Sequence, residues 1–199
     1  MKKTWLIYII IITFVSIIIF SIKINSTKTI NWNLSLDEQS KAPYGLRVFY
    51  KELPNIFKNK KIKTVYYSPH SYLKNNTNKK EKNSKIAGSF LIINKKDVLS
   101  NKSINALLKF VEQGNTLFIS SYNFHKKLTD TLGVDTYAVS TKDSISRFYL
   151  KSDASKYFTF NKNASYTFFS KVNTHKNKIL GYASTSDKDP NFIEGTFGL

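Results

Sequence analysis

The sequence predicts an α/β protein: one N-terminal transmembrane helix, then a single domain built on a mostly parallel sheet flanked by helices, with β-hairpins added late in the chain. Three observations carry this reading. Trp5 to Ile22 contains no charge, Pro or Gly. Two unbroken apolar runs, Ser89 to Ile93 and Thr116 to Ser120, bracket an amphipathic helical pattern closed by one Gly turn. After Val134 the texture changes to short alternating segments.

At about 1.5 Å rise per residue, the apolar run from Trp5 to Ile22 covers roughly 27 Å, close to the hydrocarbon thickness of a bilayer. A helix apolar on every side must be buried on every side, and the domain that follows is too small to wrap one, which favours lipid over a protein core. Lys2 and Lys3 resemble the start of a signal peptide. However, Phe20-Ser21-Ile22-Lys23-Ile24-Asn25 offers no small-residue cleavage triplet, so an uncleaved signal anchor is expected. Lys23 and Lys28 nearly balance Lys2, Lys3 and the terminal amine under the positive-inside rule. The short head and long tail place residues 1–4 in the cytoplasm, the span over 5–22, a tether over 23–40 and the domain, 41–199, outside the cytoplasmic (inner) membrane.

The tether is polar, with Ile30-Asn31-Trp32-Asn33-Leu34 expected as a short edge strand or an interfacial Trp anchor. Leu46, Phe49, Tyr50, Leu53, Ile56 and Phe57 then recur at helical spacing. Pro43 is expected in the first turn of that helix and Pro54 near its end or at a kink. Ile62 to Tyr67 reads as a strand ending in a Ser68-Pro69 turn, and Leu73 to Lys85 as a solvated loop. The continuous hydrophobicity of Ser89 to Ile93 and of Thr116 to Ser120 predicts strands buried on both faces. Between them, Ser100 supplies a cap for a helix with Ile104, Leu107, Leu108 and Val111 on one face, stopped at Gln113-Gly114. That order is a right-handed βαβ crossover. A further helix is expected over Phe124 to Leu132, closed by Gly133. Strands or hairpins are then expected around Arg147 to Leu150, Tyr157 to Phe160, Tyr166 to Phe169, Ile179 to Ala183 and Asn191 to Ile193.

With 31 Lys and Arg against 13 Asp and Glu, the formal charge is +18. Such a balance ordinarily points to nucleic acid or an anionic membrane. Here Arg occurs only at Arg47 and Arg147, and the Lys residues are spread along the chain amid Asn and Ile, as an AT-rich genome would encode. Bidentate phosphate and guanine readout relies on Arg, so no nucleic-acid partner is expected. The absence of cysteine excludes disulfides, thiolate metal sites and a Cys nucleophile.

Chemical motifs are few. His70, His125 and His175 lie on separate segments without ligand spacing, so neither a metal nor a cofactor is expected. No Gly-x-Ser-x-Gly elbow or phosphate-binding glycine loop occurs. Asp187-x-Asp189 before Pro190 reads as a turn. Two stretches remain as candidates for binding a ligand or partner. Ser120 and Ser121 follow the third expected strand, where doubly wound folds often place function. Asp37, Lys41, Pro43, Tyr44 and Gly45 lead into a helix N-terminus, either as an anion-holding site or as a cap docking the tether.

The lone span, Trp32, and Asp37-x-x-Ser40-Lys41-x-Pro43-Tyr44-Gly45 before a helix ending Glu52-Leu53-Pro54-Asn55-Ile56-Phe57 resemble the domain-of-unknown-function 4350 family of bacterial membrane proteins, particularly of Bacteroidetes. Phe110-Val111-Glu112-x-Gly114-Asn115-Thr116-Leu117-Phe118-Ile119-Ser120 is similar to the same family and to class I amidotransferase-like domains lacking their nucleophile. The resemblance implies a three-layer flavodoxin-like or amidotransferase-like domain, and a second span beyond it. It implies no catalytic residues, and it implies an assembly role beside MoxR-type ATPases. The chain is accordingly expected to be truncated at its C-terminus. The function expected is a membrane-anchored, non-catalytic binding or assembly domain at the cell envelope. The rivals are a hydrolase or amidotransferase-like enzyme near Ser120 and Ser121, and a surface for anionic lipid.

Overall fold

The computed structural model describes residues 2–25, 30–76, 86–96, 98–140, 146–160, 165–184 and 189–196. It divides into two compact units, Met1–Lys51 and Glu52–Leu199. The class is mixed helix and strand, with one apolar N-terminal helix and short sheets.

Helix α1 (Lys2–Asn25) has 24 residues, and its Thr4–Ser21 stretch is long and apolar enough to cross a membrane. Three of its hydroxyls are turned back onto the helix. Thr13, Ser16 and Ser21 donate to the carbonyls of Ile9, Ile12 and Ile17 at 2.7, 2.8 and 2.9 Å. Polar side chains satisfied within their own helix are what a lipid environment requires. Residues 30–34 form no strand: Trp32 is exposed, with its ring edge-on to Tyr44 at 6.4 Å. Helix α2 (Arg47–Ile56) buries Leu53 and carries Pro54 in its last turn. Pro43 therefore lies in the turn ahead of the helix, outside its first turn.

In the second unit, Ile62 to Tyr67 joins no sheet, contrary to expectation. Val65 packs against an apolar cluster instead, and Lys63 Nζ sits 5.2 Å from the Tyr72 ring. The Ser68-Pro69 pair opens helix α3 (Pro69–Asn75), where a turn and loop were expected. Ser68 Oγ accepts from Ser71 N at 3.3 Å, and Pro69 occupies a position whose N–H would be unpaired in any case. Residues 77–85 of the expected loop lie outside the described residues.

Strand β1 (Ser89–Ile93), helix α4 (Asn101–Glu112) and strand β2 (Thr116–Ser120) form the expected βαβ unit, with β1 and β2 parallel and Leu91 opposite Phe118. Ser100 Oγ caps α4 through Ser103 N at 3.2 Å. At the other end Gly114 takes φ +83°, and Asn115 bridges the Phe110 carbonyl and the Gly88 amide at 2.9 and 2.8 Å. This bridge returns the chain beside β1. Strand β2 is not buried on both faces: Leu117 and Ile119 face the core, while Phe118 is exposed.

Helix α5 (Lys126–Leu132) starts two residues later than expected, capped by His125, and ends at Gly133 in the left-handed conformation. Strand β3 (Val134–Ser140) pairs antiparallel with β6 (Ser165–Val172). Strands β4 (Ser146–Leu150), β5 (Asp153–Phe160), β7 (Asn177–Ser184) and β8 (Pro190–Gly195) make an antiparallel sheet in the order β5-β4-β7-β8. The mostly parallel sheet is thus corrected to one parallel pair beside two antiparallel sheets. The connection through α5 is also long enough for a parallel crossover, but β3 pairs antiparallel with β6 instead of joining β2.

Two apolar clusters meet on α4. Leu107 and Phe110 join Tyr72 and Leu73, and Ile104 and Leu108 join Leu128. Leu107→Ala is expected to lower the unfolding free energy of the detergent-solubilised chain by about 2–5 kcal/mol in chemical denaturation, because Leu107 is fully buried. On β5, the Ser155 hydroxyl and then Lys156 hold the Asp153 carboxyl below its usual range. Its folded value lies below its unfolded one, so its contribution is complete above the ordinary aspartate range and is lost as pH falls through the folded value. An NMR titration should find the Asp153 midpoint depressed, and Ser155→Ala should move it back up.

Candidate functional site

In the first unit, Asp37 to Leu46 closes on itself. The Asp37 carbonyl accepts from Ser40 N and Leu46 N at 3.1 and 2.9 Å, and its carboxylate accepts from Gln39 N at 2.8 Å. Ser40 Oγ takes the Ala42 amide at 3.2 Å, Gly45 N donates to the Ala42 carbonyl, and Leu36 N donates to the Tyr44 carbonyl. Tyr44 sits at φ +64°, and a Cβ on Gly45 would run into the Ser40 carbonyl. This is a closed turn ahead of α2, with Pro43 inside it and Lys41 exposed. Asp37, Lys41, Pro43, Tyr44 and Gly45 therefore come together, while Ser120 and Ser121 belong to the other unit.

The second candidate stands at the carboxyl ends of the parallel strands, where a crossover helix leaves a crevice. Asn94 N donates to the Ser120 carbonyl at 2.9 Å, extending the ladder by one step. Ser121 follows, with its Oγ buried and without a hydrogen-bond partner among the described residues. It borders a small cavity walled by Ile92, Asn94, Leu99, Asn123 and His125, whose volume open to the centre of a water molecule is about 20 Å³. That is room for a single water. The His125 Nδ1 accepts from Lys127 N at 3.1 Å as the cap of α5. Ser121 is therefore not hydrogen-bonded to an imidazole base, which the activation of a serine nucleophile requires.

A larger cavity of about 490 Å³ runs along β2 on the side away from β1, between α4, α5, β6 and β8. Its wall is mainly apolar, with Leu108, Val111, Leu132, Phe168 and Phe192 facing it, and Ser120 and Ser121 at one end. Long-range contacts hold it open. Thr167 Oγ1 donates to the Tyr122 carbonyl at 2.9 Å, and Tyr122 donates its hydroxyl to the Ser165 carbonyl at 3.2 Å. Asn177, itself buried, donates from Nδ2 to the Leu132 and Asn173 carbonyls at 2.7 and 2.9 Å. Phe118 and Phe192 meet edge to face at 6.2 Å. Sequence reasoning placed Ser120 and Ser121 but not this cavity, because its walls come from segments far apart in the chain.

Among the described residues, no group of three His, Asp or Glu side chains is placed to hold a metal. His175 is exposed in the β6–β7 turn, and Asp189 accepts from the Tyr166 hydroxyl at 2.8 Å. Asp187 lies outside the described residues. No family model matches the chain, and no curated protein and no solved structure matches it either.

The desolvated hydroxyl of Ser121 gives a direct expectation. Ser121→Ala should leave stability unchanged or raise it slightly, since removing an unpaired buried polar atom relieves its desolvation cost. His125→Ala should cost about 1 kcal/mol through loss of the α5 cap. Denaturation curves of the two variants compared with the parent chain check both.

Proposed function

We propose that the protein is a membrane-anchored, non-catalytic binding domain at the bacterial cell envelope, with the β2 cavity as its binding site. One observation supports this reading above the others: an apolar cavity of ligand size adjoins strand β2, and the serine at its end has no hydrogen-bonded base among the described residues. Helix α1 supplies the anchor, inserted from the cytoplasmic face of the inner membrane with the second unit outside. The resemblance to the domain-of-unknown-function 4350 family extends the proposal to an assembly role with a MoxR-type ATPase system. On this reading the βαβ unit is the part of a flavodoxin-like or amidotransferase-like sheet that carries the site.

The enzymatic rival needs Ser120, Ser121 and His125 to act together. His125 is engaged as a helix cap, and Ser121 makes no bond to it. The lipid-surface rival draws on the charge of +18, and it predicts vesicle binding that fades at moderate salt.

Membrane fractions washed with alkaline carbonate should retain the full chain, and a chain lacking residues 2–25 should appear in the wash. The full chain should show no turnover in a panel of ester, amide and glutamine substrates. Turnover abolished by Ser121→Ala would defeat the non-catalytic reading.

A further inference from the structure

Two ladder bonds fix the phase of β2. Thr116 N donates to the Gly88 carbonyl at 3.0 Å, and the Ser120 carbonyl receives Asn94 N at 2.9 Å. In a parallel ladder, alternate residues of a strand turn their N–H and C=O to the same neighbour. Thr116, Phe118 and Ser120 are therefore engaged with β1. Leu117, Ile119 and Ser121 direct their backbone groups to the opposite side, where β2 has no paired strand among the described residues. These three residues are half-buried, and all three border the 490 Å³ cavity. Half-buried backbone groups normally find partners, and an open strand edge is a template for another strand.

We propose that the cavity takes an extended segment of an acidic partner protein, which pairs with the free edge of β2 as an added strand. This deepens, and rests on, the reading of the domain as a binding module. An extended chain is the ligand class that offers alternating donors and acceptors along one line while placing side chains on both faces. The wall suits apolar side chains on either face: Val111 and Leu132 on the helix side, and Phe118 with Phe192 on the other. The charge argues for a partner over a second copy, because two chains of formal charge +18 repel each other and attract an acidic one. Glu194 is the charged side chain among the described wall residues, so the attraction for an acidic segment comes from the field of the whole chain.

The test uses the full chain in detergent micelles and a synthetic probe peptide with an alternating Val-Ile core and Asp and Glu at both ends. The expected result is saturable binding, with slowed hydrogen exchange at the amides of Leu117, Ile119 and Ser121. Methylating alternate backbone nitrogens of the peptide should weaken binding at least about tenfold, equivalent to ~1.4 kcal/mol. Replacing its acidic ends by Lys should weaken binding too, with the effect shrinking at high salt. Equal binding of the methylated peptide would make the cavity a general apolar pocket and overturn strand addition. Equal binding of the Lys-ended peptide would overturn the acidic partner. Protection of the same amides in the protein alone, with a dimer in sedimentation, would assign the edge to a second copy and overturn the proposal as well. Absence of binding by any peptide overturns strand addition alone, since fractionation and turnover decide the anchored, non-catalytic reading separately.

Discussion

Ile104 and Leu107 stand one turn apart on helix α4, yet each belongs to a different apolar cluster. Leu107 and Phe110 close over α3 and β1, whereas Ile104 and Leu108 reach α5. One helix therefore supplies both halves of the core, and the second unit depends on its burial. The parallel pair β1–β2 needs a covering crossover, and α5 needs an apolar surface on which to rest. Even the polar atoms on this helix serve that end. Ser103, almost fully buried, is matched by Ser100, so the capping turn enters the core without leaving a bare hydroxyl.

From that centre the character of the structure changes outward. Among the described residues one side of β2 is paired and the other is open, because the antiparallel strands bond among themselves instead of continuing the parallel sheet. Asn177 ties β7 to the last turn of α5, and Tyr122 and Thr167 tie β6 to the loop that follows β2. The sheets are thereby held beside β2 without closing on it. The serine at the rim has no hydrogen-bonded base among the described residues, and the nearby histidine holds a helix end.

Much of this was legible where local signals dominate. Ser100, Gln113 and Gly114 mark α4 because capping and left-handed turns are decided within a few residues, and Gly133 marks the end of α5 for the same reason. The runs at residues 89–93 and 116–120 are strands in the places expected. Other elements were hidden. Ser68-Pro69 carries two meanings, turn and helix start, and Tyr72 and Leu73 decide for the helix by packing against Leu107 and Phe110. Strand β3 carries little signal of its own, because Val134 to Ser140 has modest apolar content and its partner β6 is remote in sequence. Pairing direction is likewise non-local: the short strands after Val134 announce themselves as strands but not as separate sheets. At the candidate site, Ser120 and Ser121 could be named from their position after a strand. The cavity beside them depends on Phe192, Leu132 and Phe168 arriving from elsewhere.

Helix α1 has a consequence of a different kind. Its apolar residues surround the axis, and between Trp5 and Ile22 there is neither Gly nor Ala to make a groove into which a second helix could settle. Its three inward-bonded hydroxyls offer no lateral glue. In a bilayer such a helix is a swivel, free to spin about the membrane normal without preferring any azimuth. For α1 in a bilayer, any heading within the membrane plane would be imposed from outside the helix itself.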